Sequence, residues 1–169
     1  MFAGHAALAL GAKGARPRIP IALLVPVAFA PDWIEWICNL AGWESRLASH
    51  SLVSVAIGAT LVALAYAAVT GAGIDAIVLG LTYVSHWGAD FITGSKPTWP
   101  GGPSVGLMLY AHPLRDAMLE GALIIACWLI YRRSLSPEAR RRAAGRLIPL
   151  GLIAMQIAFV AMQNPSLVL

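Results

Sequence analysis

Charge is what this chain has least of. Charged residues make up 12% of its 169 residues, about half of the roughly 25% usual in soluble domains. So little charge excludes a disordered tail. Cysteine is scarce as well. Cys38 and Cys127 lie far apart and neither belongs to a CxxC pair. That excludes a disulfide-stapled secreted module and leaves two core thiols as the simplest reading. No internal repeat, collagen-like period or low-complexity tract is visible. The N-terminus lacks the charged start and small-residue cleavage pattern of a signal peptide, so Met1 is expected to be the mature end.

In place of charge there is apolar surface. Hydrophobic residues reach 59% and mean hydropathy is +0.73. An ordinary soluble globule is thereby disfavoured, and the length suits one domain over residues 1–169. The apolar residues form runs close to the roughly 20 residues that cross a bilayer. Residues 51–70 are the cleanest span, free of charge and rich in small side chains that favour close helix packing. Residues 74–91, 115–131 and 147–163 are further candidates. Residues 2–12 and 19–30 are shorter apolar segments, the second containing Pro26. Residues 93–106 are rich in Gly and Pro and read as a loop. The expected fold is all-α: a polytopic membrane bundle of about four to six embedded helices.

The formal net charge of +4 comes from two basic clusters, Lys13/Arg16/Arg18 and the six arginines of residues 132–146. They sit in short inter-helix segments, so no nucleic-acid partner is expected. The positive-inside rule places both in the cytoplasm, with 132–146 as a basic linker. Within it, Ser136-Pro137-Glu138 reads as the capped start of a short helix. Tracing the chain from these clusters brings all four histidines (His5, His50, His86 and His112) to the opposite membrane face, together with Asp32, Asp90 and Asp116. Chance would put about half on each side.

His86 and Asp90 stand at i and i+4, a spacing that puts both on one helix face within reach of one ion. His112 and Asp116 repeat the spacing. Ionisable groups in or beside membrane helices are costly, and are functional candidates for that reason. The candidate metal ligands are His5, Asp32, His50, His86, Asp90, His112 and Asp116. Their N/O donor set suits zinc, with manganese or another divalent ion as the alternative. Asp32 and Asp90 are the candidate catalytic carboxylates. Glu120, a turn past Asp116, reads equally as a support for the site or as a buried hydrogen bond between helices. Arg46, Lys96 and Arg115 fall on the same face and are candidates for holding an anionic substrate or lipid headgroup. Asp75 is expected to begin a helix near the cytoplasm. Ser49-His50-Ser51 reads as helix capping rather than as nucleophile and base. Gly102-Pro103-Ser104-Val105-Gly106 matches the GxSxG pattern, but that motif needs a strand before the serine and a helix after it.

Gly4-His5, Pro31-Asp32-Trp33, Ser49-His50-Ser51, Ser85-His86-x-x-x-Asp90, Thr93 and Trp99-Pro100 come in an order that resembles the YdjM-like family. These are small bacterial and archaeal inner-membrane proteins described as metal-dependent hydrolases. The resemblance covers most of residues 2–120. It implies a multi-pass location in the cytoplasmic membrane and a divalent metal cofactor. The motif order is also similar, remotely, to the all-helical zinc phospholipase C and single-strand nuclease group. Carried over from that group, Asp32, His50, His86 and Asp90 form the principal site. His5 joins Asp90 on a neighbouring metal, and His112 with Asp116 replaces a later His-x-x-x-Glu pair. The chain has one histidine fewer than that group, so one or two ions are expected rather than three. The resulting expectation is a membrane-bound hydrolase, most plausibly a phosphoesterase acting on a lipid or other substrate at the extracytoplasmic face. A metal-binding or metal-transporting membrane protein is the alternative, and a partner-binding protein with incidental histidines is the third reading.

Overall fold

The computed structural model describes residues 2–43 and 48–163. Among them the architecture is all-helical apart from one two-stranded hairpin. The helices are α1 (Phe2–Ala15), α2 (Ile21–Ala28), α3 (Ala30–Leu40), α4 (Leu52–Thr70), α5 (Gly73–Thr93), α6 (Pro113–Ser134), α7 (Pro137–Arg141) and α8 (Ala143–Gln163). A 3₁₀ turn at Ala48–His50 precedes α4, and another at Leu109–Ala111 precedes α6.

Small residues set the closest packing. A Cβ on Gly14 would stand 2.5 Å from the Tyr131 backbone nitrogen, and one on Gly11 would stand 3.0 Å from Cys127 Sγ. These two glycines let α1 lie directly on α6, the kind of contact small residues allow between apolar helices. α4 packs on α5 in the same way, because a Cβ on Gly58 would collide with the Tyr83 ring. Cys127 is buried, as expected for a core thiol.

α1 and α5 run antiparallel, and an ion contact at each end records it. His5 Nε2 lies 3.3 Å from Asp90 Oδ1 at one end. Arg16 Nε donates to Asp75 Oδ1 at 2.5 Å at the other. Asp75 is thus the first-turn carboxylate of α5, beside the basic cluster, where the sequence places it. Ser51 caps α4 by accepting from the Ser54 N–H at 3.2 Å, and Gly71 ends that helix in the left-handed conformation at φ +68°.

The 19-residue α4 is long and apolar enough to cross a membrane. Helices α2 and α3 pass the same test only together, and they meet at a 60° bend. The other candidates from the sequence fall short for identifiable reasons. α1 has 14 residues. α5 carries Asp75, His86 and Asp90. α6 carries Glu120, Arg132 and Arg133. The face of α4 is instructive: only 11% of its apolar window is buried, and Ile57, Leu61, Leu64 and Val69 point outward. The core helix of a water-soluble protein hides such a face.

The loop of residues 94–106 folds into the hairpin, pairing Lys96 with Val105 and Pro97 with Ser104. Leu107 N–H donates to Phe91 O at 2.8 Å, and Val53 N–H donates to Thr98 O at 3.2 Å. The hairpin is thereby held against the C-terminal end of α5 and the start of α4. Ser104 is an exposed strand residue with no helix after it, so the GxSxG match lacks the turn that a nucleophilic serine needs.

Candidate metal centre

Four elements deliver their polar side chains to one place. α5 carries His86 and Asp90 on one face near its C-terminal end. The first turns of α1 carry His5. The 3₁₀ turn before α4 carries His50, and the first turn of α3 carries Asp32. The break between α2 and α3 does double duty. It turns Asp32 inward, and it leaves the Ala28 carbonyl free to receive the His86 Nδ1 proton at 2.9 Å.

That hydrogen bond fixes the His86 tautomer. A carbonyl only accepts, so Nδ1 carries the hydrogen and the neutral ring presents a bare lone pair at Nε2. His50 is fixed by a longer relay. The Ser49 hydroxyl donates to Glu35 Oε2 at 2.6 Å, so its oxygen accepts from His50 Nδ1 at 2.9 Å. The other His50 nitrogen, Nε2, makes a 3.0 Å hydrogen bond with Asp32 Oδ1, and because a carboxylate oxygen only accepts, a metal ion would have to replace the proton of that bond.

Both Nε2 atoms point at carboxylates. His50 Nε2 is 3.0 Å from Asp32 Oδ1 and 3.9 Å from Asp90 Oδ2. His86 Nε2 is 3.6 Å from Asp32 Oδ1 and 3.4 Å from Asp90 Oδ2. The four donors form a closed ring of alternating imidazole and carboxylate. Two carboxylates packed this closely hold only with cations among them: Lys96 Nζ stands 2.8 Å from Asp90 Oδ2, and protons or a metal ion at the Nε2 atoms would supply the rest. His86 Nε2 is fully buried and makes no hydrogen bond to a described residue, an orphan that buried polar atoms rarely remain. His50, His86 and Asp90 each offer a donor atom within 4.8 Å of the other two, a spacing that one zinc or similar ion with roughly 2.0–2.1 Å bonds can draw together. A second donor group joins His5, Asp32 and His86, each offering an atom within 4.8 Å of the others. His5 reaches Asp90 through Oδ1, the oxygen that the first ring leaves over. The His5 and His86 rings stack at 4.0 Å between centroids.

The centre is reached through a cavity of about 360 Å³ lined by His5, Asp32, Asp90, Lys96 and Tyr110, with the end of α5 and Phe159 of α8 completing the wall. The Asp32 side chain is 47% exposed, whereas those of His50, His86 and Asp90 are nearly closed off. Lys96 Nζ lies 2.8 Å from Asp90 Oδ2, so the hairpin stands over the histidines. Burial pushes the Tyr110 phenol up to about 12, and Tyr110 presents a protonated hydroxyl at neutral pH.

Of the residues singled out by sequence, His5, Asp32, His50, His86, Asp90 and Lys96 meet here. His112 does not join them among the described contacts. It is the N-cap of α6 with φ −129° and ψ 75°, and its side chain is exposed. Asp116 is buried one turn away, bonded to Gln156 Nε2 at 3.4 Å. Glu120 accepts the Gly4 N–H at 2.5 Å, which makes it a cap for α1 supplied by another helix. Neither carboxylate belongs to the two donor groups found among the described residues. Arg115 is exposed, and Arg46 lies outside the described residues. Sequence reading missed Glu35, Ser49 and Tyr110. The one available signal was Ser49 beside His50, which also fits capping.

Comparison with models of known families, with curated proteins and with solved structures found no match to this chain.

Proposed function

We propose that this protein is a multi-pass, cytoplasmic-membrane hydrolase that uses one or two divalent ions, zinc first among them, to cleave a phosphoester at the membrane surface opposite its arginine-rich linker. The observation that carries the reading is the four-donor ring. Two imidazoles, each held at Nδ1 by its own hydrogen bond, turn their Nε2 atoms onto Asp32 and Asp90 at 3.0–3.9 Å. His50, His86, Asp32 and Asp90 would hold the principal ion, and His5 with Asp90 Oδ1 would reach a second. A divalent ion bound there supplies a Lewis acid that polarises a phosphoryl oxygen and makes water more acidic.

The chain's own residues supply the rest. Asp32, half exposed to the cavity, is placed to take a proton from water as the water oxygen bonds to phosphorus. The bond from phosphorus to the leaving alcohol breaks, and solvent protonates the departing oxygen. The Tyr110 hydroxyl lines the same cavity, as does the Lys96 ammonium while paired with Asp90 Oδ2 at 2.8 Å, and both are donors of the kind non-bridging phosphate oxygens take.

The outward apolar face of α4 supports the membrane setting. Transport is the less supported use of the same donors. Below the centre, the Thr82 hydroxyl is turned back onto Val78 O and Asp75 is tied to Arg16. The test is hydrolysis of phosphate mono- and diester lipids in detergent micelles. Zinc-loaded protein is expected to turn over at least 100-fold faster than chelator-stripped protein or the Asp90→Ala variant. Equal rates in all three would refute the hydrolase reading.

A further inference from the structure

The centre borders two surfaces of opposite character. One is the polar cavity just described. The other is a larger groove of about 590 Å³, lined by Val25, Phe29, Trp33 and Trp36 with Asp32 at its edge. Asp32 lines both, so the groove and the cavity adjoin at that residue. Phe29 meets the His5 ring edge-on, with centroids 5.5 Å apart, which carries the apolar wall up to the donors. Trp33 and Trp36 stand edge to face at 6.2 Å, and each is more than half exposed. An open apolar groove of this size beside a small set of convergent polar groups is the usual form of a site for an amphipathic ligand. Donors choose the head: the Lys96 ammonium, paired with Asp90 Oδ2 at 2.8 Å, and the Tyr110 hydroxyl both line the cavity, and both are groups that phosphate oxygens accept from.

We infer that the substrate is a phosphate-bearing lipid drawn from the bilayer, with its phosphate in the cavity beside Lys96 and one acyl chain in the groove of Val25, Phe29, Trp33 and Trp36. The inference rests on the metal-dependent reading above for its chemistry, but the groove can be tested separately. The bent α2–α3 pair builds both halves. It offers Asp32 to the centre on one side and the aromatic wall to the chain on the other, so head and tail are held in one register.

The probe is phosphatidic acid carrying a diazirine on its acyl chain, photolysed with the zinc-loaded protein in maltoside micelles, with labelled peptides mapped by mass spectrometry. Labelling is expected to concentrate on residues 21–36. Unlabelled phosphatidic acid should displace it at least fivefold better than diacylglycerol, which lacks the phosphate. Val25→Trp fills the groove and Trp36→Gln makes its wall polar, so each should cut that labelling at least fivefold. Trp36 is exposed, so its variant serves even where Val25→Trp fails to fold. Labelling spread along the outward face of α4, or labelling of 21–36 that ignores both variants and the competitor, would overturn the inference. Zinc content measured on the same samples separates the two claims. Diffuse labelling with zinc bound removes the groove and keeps the centre. Focused labelling without zinc keeps the lipid site and removes the hydrolase.

Discussion

The pairing of His50 with Ser49 shows how a neighbour in sequence can matter through its hydrogen bond. Ser49 passes the charge of Glu35 to the back of the imidazole, a role that carboxylate and carbonyl partners of ligand histidines commonly play. Ser49→Ala should therefore weaken zinc affinity roughly 10- to 100-fold while leaving the helical circular dichroism unchanged, and Ser49→Thr should restore most of it. Titration with a fluorescent zinc competitor reads the difference; an unchanged affinity in Ser49→Ala would remove the relay. The same scale separates the two HxxxD pairs of the sequence. His86 and Asp90 both lie inside α5, where i and i+4 share a face. His112 is a cap with non-helical backbone angles and an exposed side chain, whereas Asp116 is buried against Gln156. Spacing alone does not reveal where a helix begins, and that boundary decides the geometry.

At the scale of elements, the centre depends on helix ends held by other helices. α1 delivers His5 only if its first turn is fixed, and Glu120 of α6 does this by accepting the Gly4 N–H. Loss of such a cap costs about 1–2 kcal/mol. Glu120→Ala is expected to lower the thermal midpoint by a few degrees and to weaken zinc binding at the same time. Glu120→Gln keeps an acceptor and should recover most of both. A stable Glu120→Ala protein with unaltered zinc affinity would show that the α1 terminus is fixed elsewhere. The sequence made this residue a candidate without choosing its role, because the Gly4 contact spans 116 positions and only the α1–α6 packing creates it. The break at Phe29 was legible in part. Pro26 and Pro31 mark it, but the use of the freed Ala28 carbonyl by His86 is a tertiary fact.

For the whole molecule, the two ends carry opposite chemistry. His5 meets Asp90 at one end, and Arg16 meets Asp75 at the other. If the chain spans a bilayer as proposed, the hairpin and the arginine linker face opposite compartments. In a Cys38→Ala background, Ser104→Cys and Ser136→Cys should react with an impermeant maleimide from opposite sides of sealed vesicles. Labelling of both from one side would contradict the topology. The all-helical class was legible because apolar runs outnumber turn signals. The number of membrane spans was not, because the residues that build the site also lower the hydropathy of the helices carrying them. Most directly at stake is the claim that the His/Asp ring binds a metal. The measurement is elemental analysis of the purified protein beside His50→Ala and Asp90→Ala. The account predicts about one or two equivalents of zinc or a similar divalent ion in the parent, lost in both variants while the helical fold persists. A metal-free parent after reconstitution with divalent ions would contradict it.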